Sequence, residues 1–459
     1  MRKMVQGTEH EYTLYCRKMG TMGFDPHMMA LDLLRDSDLH LAGEFITNGS
    51  RVYYDVGHFE VSTAETTNFH DVVIWEKAGE KILDWLRRVM EEKYTGDMKI
   101  HAFKNNTSPD GTSYGSHENY CVSRDVAFPG QFIRDLVPHL ATRIIYTGAG
   151  DIVRGKYVLS PMAFLTSQVV SGETMHDTGI LNTRDEPHAD GRLWRRLHVI
   201  VGDANLSEIA NYLKVGTMAV VLSMVEDDFI DRDLSLDSPV LAFRKVSRDL
   251  SCREPIRLKD GRTVTAVDVQ REFLDLAQRY YRDREKEAWV GDVLARWEHT
   301  LDGLAEDPMR LGRELDWVIK RQLIENYMAK HALAWDASRV QMIDLQYHDI
   351  RPGKGLYAKL EEAEAVERIV TDDEISKAIY DPPKDTRAYF RGMCLQRYAD
   401  EIVSASWDSV IFDLKEGPLK KIFMLEPLRG TEAHVRQLLT ESPTAADLLR
   451  NISRSSGGM

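Results

Sequence analysis

The chain has 459 residues, 43% of them hydrophobic and 29% charged, with a net charge of −14, which is enough length for a large core and the composition of a globular rather than a disordered protein. The negative balance argues against general nucleic-acid or anionic-membrane binding, and no stretch reaches the roughly eighteen uninterrupted apolar residues of a membrane span. Cys16, Cys121, Cys252 and Cys394 are far apart with no metal-site spacing, so they are expected to be reduced, buried small hydrophobes.

The N-terminus, Met1 to Gln6, has no apolar signal core, and a cytoplasmic location is expected. It leads into Gly7-Thr8-Glu9-His10-Glu11-Tyr12, where Glu9 and Glu11 share one face of an extended segment. Two bare carboxylates there would repel and raise each other's pKa, so a divalent cation between or beside them is the economical reading. An exposed edge strand with glutamates facing water is the plainer alternative. The run Arg51 to Glu60 also alternates: Tyr53 and Asp55 take one face, and Val52, Tyr54 and Val56 the other. Gly57 is expected to bulge this strand and re-aim His58 and Glu60, with Glu65 close behind. Ile74, Ala78, Ile82, Leu86 and Val89 then recur at helical spacing, which predicts a helix over 71–94 covering a sheet.

A strand at Lys99 to Phe103 leads to Lys104-Asn105-Asn106, and Ser113 to Tyr120 reads as a polar loop able to approach a ligand closely. Gly148-Ala149-Gly150 lacks the third glycine and the acidic partner of a dinucleotide fingerprint. The densest polar region follows. Residues 182–203 hold four arginines, two histidines and four carboxylates, and Arg196 and His198 occupy the strand side opposite Leu197, Val199 and Val201. A cation and an imidazole on a sheet wall suit a bound polyphosphate and its metal ion.

From Ser207 to His331 the pattern is mostly helical, with core stripes at Phe273, Ala277 and Tyr280 and at Val293, Trp297, Leu301 and Leu304. Pro382 and Pro383 mark the expected boundary before a final compact segment. In that segment Arg387 and Arg391 lie four apart, as a phosphate clamp or as halves of two salt bridges. The tail Ser453 to Met459 is small and polar and is expected to be flexible.

Several of these motifs carry a family resemblance: Gly7-Thr8-Glu9-x-Glu11-Tyr12, Thr47 to Arg51, Ser113 to Tyr120, Asn182 to Asp190, and Ala405 to Asp413. Over nearly its whole length the chain resembles the Pup ligases and Pup deamidase/depupylases, relatives of the glutamine synthetase and glutamate-cysteine ligase type carboxylate-amine ligases. Asp344 to Tyr347, Lys354 to Tyr357, Asp385 to Gly392 and Leu425 to Gly430 are similar to the deamidase/depupylase branch. The short connection Leu34 to Phe45, where that branch usually carries a long insertion, and the segments Ser235 to Pro239 and Leu315 to Arg321 are similar to the ligases. Ser160-Pro161-Met162 departs from the Gln-Arg expected after the serine.

The resemblance implies an α+β fold: a curved, mainly antiparallel sheet packed by helices in a large domain (1–383), and a small C-terminal domain (384–459). It implies ATP and magnesium as cofactors, and Asp55 as the catalytic carboxylate, acting as nucleophile or general base. Glu9, Tyr53, Glu60 and His198 match positions near the magnesium. Glu11, His117, Arg184, Arg196, Arg387 and Arg391 form the expected cofactor-binding set, with the arginines on phosphate. A Pup-like modifier and pupylated proteins of the bacterial proteasome pathway are the implied partners. Hydrolysis of the Pup Gln amide or the Pup-lysine isopeptide bond is the expected reaction, and ATP-dependent formation of that isopeptide bond the alternative.

Overall fold

Strict alternation builds the central strand. In β1 (Val5–Cys16) the even-numbered residues are buried, whereas Gly7, Glu9, Glu11 and Thr13 are half-buried. The computed structural model describes residues 3–16, 26–55, 57–95, 99–108, 111–284, 286–415 and 417–456. The expectations for Met1, Arg2, Val56 and Gly457 to Met459 fall outside the described residues.

β1 is flanked on both sides. β2 (Arg51–Asp55) and β3 (His58–Ser62) lie on one side, β5 (Ser116–Ser123) and β6 (Trp194–Val199) on the other, in the order β6-β5-β1-β3-β2. The far end of β1, from Thr13 to Cys16, pairs with β4 (Ile100–Phe103). Every pairing in this sheet is antiparallel. The fold class is α+β.

Helix Phe69–Met90 covers the back of the sheet. Asn68 caps it by accepting from the His70 amide, and Asp71 in its first turn and Arg87 and Arg88 in its last complement the helix dipole. Its Ile82 and Leu86 pack with Tyr12, Val52, Phe59 and Val61 of the sheet. Each such fully buried side chain contributes about 1.5–3 kcal/mol. The helix ends at Met90 and runs on as a π turn through Thr95.

The second and larger core is helical. Helix Glu208–Glu226 is long and apolar enough to cross a membrane, but its apolar window is entirely buried inside the protein. Against it lie helices Ala266–Tyr280 and Ala288–Glu306, and both predicted stripes are buried there.

Four local expectations change. Arg51 to Glu60 is not one bulged strand: Asp55 faces His58 across a two-residue turn, so β2 and β3 form a hairpin, with Gly57 at φ +97° where a side chain would be strained. Lys104, Asn105 and Asn106 are buried and tied into hydrogen bonds and ion pairs rather than carried on an exposed loop. The segment read as a polar loop enters strand β5 at Ser116, because its register with β1 satisfies the backbone. At the C-terminus, helix Ala445–Ser456 carries Ser453 to Ser456, anchored through buried Leu448.

Residues beyond 388 build a separate core around Phe390, Leu395, Tyr398, Val410 and Phe412, joined by Phe45. A three-stranded antiparallel sheet, Ile402–Ser406, Ser409–Phe412 and Lys420–Phe423, lies within this segment.

Candidate active site

Because residues directly opposite on paired strands share a face, the register decides which polar groups meet. Arg51, Ser62, Glu9 and His117 form one row across the open face of the sheet. Tyr53, Glu60 and Glu11 form the next, and Asp55 with His58 the one beyond. On the other side, Gly7, Asn119 and His198 line up. Segments up to 190 residues apart therefore present acids and imidazoles on one surface.

Glu9 is the hub. Tyr53 Oη donates to its Oε1 at 2.9 Å, and His117 Nδ1 stands 3.7 Å from the same oxygen. Glu9, His117 and His198 each offer a ligand atom within 4.8 Å of the others. His198 Nδ1 is fixed by Asn119 Oδ1 at 2.9 Å, and the His117 and His198 rings meet edge to face at 4.9 Å.

The charges on this face are unequal. Burial opposes ionisation of Glu9, yet the adjoining His117 holds its carboxyl well below the ordinary range. Glu60, buried and beside that anion, is pushed up to about 9. Burial also drives His198 well below its usual value, which leaves it as the neutral imidazole that ligates metals. One carboxylate charged, its neighbour holding a proton and a buried His117 Nδ1 without a hydrogen bond fit a divalent cation in the proton's place.

Next to this cluster is a cavity of about 410 Å³, lined by Glu9, Tyr53, Asp55, His198, Arg184, Arg196 and Arg387 among others. Arg196 donates to Asn119 Oδ1 at 2.9 Å, and its buried Nε has no hydrogen-bond partner. Glu186 holds Arg184 at 3.0 Å and Arg196 at 3.3 Å. Asp55, exposed at the end of β2, lines the cavity and makes no ion pair among the described residues.

Not every expected residue stands at the cavity. Arg387 and Arg391 both pair with Glu65, one carboxylate serving both. Arg391 is fully buried, bonded also to the carbonyls of Gly49 and Trp407, and does not line the cavity, so a direct phosphate contact by it is set aside. Arg387 lines the wall while its Nη1 donates to Met424 O at 2.6 Å. Against the cost of burial, the two guanidiniums hold the Glu65 carboxyl down at about 2. Glu11 is turned to His58, 2.5 Å away, and also lies off the cavity wall. His117, expected beside the nucleotide, stands inside the metal-type cluster instead. Cys121, expected to be buried, is half-buried on the cavity wall.

Sequence reasoning gave no role to several cavity residues. Asn119 and Arg51 were legible in principle, each two residues from a recognised group on the same strand face. His188, at φ +48°, and Trp407 lie in motifs the sequence marks out, but in loops without periodicity, so their place on the cavity wall comes only from the assembled structure.

Acids and imidazoles gather on one antiparallel face, near arginines and beside a carboxylate with no ion pair among the described residues, a combination whose chemistry suits an anionic group and a cation. Comparison with known proteins narrows this class. The model of the Pup-ligase protein family matches residues 3–411. A depupylase from Acidothermus cellulolyticus is 46% identical, with 93% of this chain and 87% of that protein aligned. A Pup–protein ligase from Actinosynnema mirum is 39% identical over 96% of this chain and 99% of its own. Two solved structures of the Pup ligase PafA share the fold. The complex with Pup superposes with TM-score 0.85 at 32% identity, covering 95% of this chain and 92% of that one. The complex with ADP gives 0.79 at 33% identity, covering 92% and 94%. The chain belongs to the Pup-ligase protein family.

Proposed function

We propose that this protein is an ATP- and magnesium-dependent Pup deamidase/depupylase, acting on a Pup-like modifier and on pupylated proteins. The observation that carries the reading is the placement of Asp55, an exposed carboxylate at a cavity walled by the acid-imidazole cluster and by arginines, in a chain 46% identical to a depupylase.

In this reading Glu9, Glu60, His117 and His198 hold the divalent cation, and Arg184, Arg196 and Arg387 bind phosphate oxygens of the nucleotide. Tyr53 donates to Glu9 and keeps that carboxylate oriented. When bound, the divalent cation would supply positive charge that stabilises the developing oxyanion. Asp55 acts as nucleophile toward the acyl carbon or as general base toward the attacking water. The C–N bond breaks, water oxygen ends on the acyl carbon, and ammonia or the lysine amine departs with a proton. Residues 1–383 form the catalytic domain in this assignment, and 384–459 the small domain that contributes Arg387 to the cavity wall.

A ligase reading has its own support: the ligase relative aligns over 99% of its length. Incubation with ATP, magnesium, a Pup-like modifier ending in Gln or Glu, and a pupylated protein separates the two by product mass. Loss of the amide or release of modifier without stoichiometric ATP consumption is expected. New isopeptide bonds formed at one ATP each would establish the ligase instead.

A further inference from the structure

Asp55 stands in a mechanically weak place for a reacting group. It ends β2, the outermost strand of the sheet, and a two-residue turn separates it from His58, its cross-strand partner. A hairpin tip at a sheet edge has few packed neighbours and opens at little cost. Here Tyr54, Asp55 and Gly57 are exposed, and His58 is the half-buried side chain that turns back onto the protein. Its Nδ1 lies 2.5 Å from Glu11 Oε2, and its ring meets the Tyr114 ring at 4.7 Å with the planes at 43°.

Tyr114 is itself held from behind. Its amide donates to Asn106 O at 2.8 Å, its carbonyl accepts from Asn106 Nδ2 at 3.1 Å, and its hydroxyl accepts from Ser108 Oγ at 3.3 Å. Gly115 then brings the segment onto β1: its carbonyl accepts from Glu11 N at 3.0 Å, and a Cβ there would come within 2.5 Å of His117 Nε2. Tyr114 is 9% exposed and Asn106 3%, and neither lines the cavity beside Glu9. Buried backbone, Tyr114, His58 and Asp55 therefore form one continuous path from the interior to the tip.

We propose that Tyr114 is a positioning residue for Asp55, acting through the His58 ring. The inference rests on the role given to Asp55 in the previous subsection. Contact between two aromatic rings fixes both separation and tilt, so Tyr114 sets where His58 stands, and the backbone pairing of His58 with Asp55 passes that placement to the carboxylate. Displacing a reacting group by about 1 Å can lower turnover on the order of 10²-fold.

The test uses the full-length chain, ATP, magnesium and a pupylated reporter protein, with amide hydrogen exchange across the hairpin as a second readout. Tyr114→Leu is expected to lower kcat on the order of 10²-fold and to leave KM and nucleotide affinity unchanged. Exchange at residues 54–58 should quicken, while the helix Phe69–Met90 keeps its protection. Tyr114→Phe retains the ring and should retain kcat. His58→Ala truncates a half-buried side chain and should reproduce both changes, which keeps the measurement possible if the leucine variant does not fold. In the double variant the loss should not exceed that of His58→Ala alone, since Tyr114 acts through that ring. Unchanged kcat or unchanged hairpin exchange in Tyr114→Leu would overturn the proposal, as would an equal loss in Tyr114→Phe or additive losses in the double variant. Those outcomes leave the functional reading standing. An unsubstituted chain inactive toward the reporter, or full activity of Asp55→Asn, would overturn that reading and this inference with it.

Discussion

The two faces of β1 carry similar side chains and reach opposite ends. On the back, Thr8 and His10 meet Glu76 at 3.0 and 2.8 Å, Lys104 pairs with Glu76 and Glu80, and Ser116 reaches His10 Nδ1 at 3.0 Å. Burial pushes His10 down to about 4, so it serves as a neutral hydrogen-bonding ring. On the front, Glu9 and Glu60 crowd each other, His117 keeps an unbonded nitrogen, and Asp55 has no ion-pair partner among the described residues. The back matches its buried carboxylates with a buried lysine and therefore stabilises. The front is left open electrostatically, which marks a place for a ligand. A titratable cluster indicates function when its charges do not sum to a satisfied set.

Breaking each face should give opposite phenotypes. The largest loss of turnover is expected from Asp55→Asn, about 10²–10⁴-fold, with nucleotide affinity retained in calorimetric titration; full activity would remove Asp55 from its role. Glu76→Gln should instead cost about 1.5–3 kcal/mol of stability by removing one of the two carboxylates that hold buried Lys104, read from the denaturant midpoint, while the folded fraction keeps its nucleotide affinity.

Two pH profiles sharpen the contrast. Glu60 holds its proton up to about 9, so a metal must displace it. Divalent-cation affinity should climb with pH by up to about tenfold per unit until near that value, and in Glu60→Gln the climb should flatten. His10 behaves differently: its folded value of about 4 lies below the ordinary 6.5, so the unfolded chain binds the proton first. Its contribution to stability is complete above 6.5 and drains away as pH falls toward 4. The stability gap between the unsubstituted chain and His10→Asn should narrow over that interval; a constant gap would show that His10 does not titrate on unfolding.

Much of this was written locally. Period-two alternation put Glu9 with Glu11, Tyr53 with Asp55, and Arg196 with His198 on common faces, because a strand's geometry is fixed by its own backbone. The helical stripe from Ile74 to Leu86 was equally plain, since burial of one face at 3.6-residue spacing needs no knowledge of the partner. Pairing is another matter. Whether Glu9 meets His117 or Asn119 depends on a register between strands more than a hundred residues apart, and a slip of one residue would send either side chain to the opposite face. The i,i+4 spacing of Arg387 and Arg391 allowed phosphate or carboxylate as partner, and only the approach of Glu65 paired both with a carboxylate while leaving Arg387 alone of the two on the cavity wall. Sequence by itself determined which residues could stand side by side along each element. Tertiary structure alone decided which elements became neighbours, and with that which charges were satisfied and which remain available to a ligand.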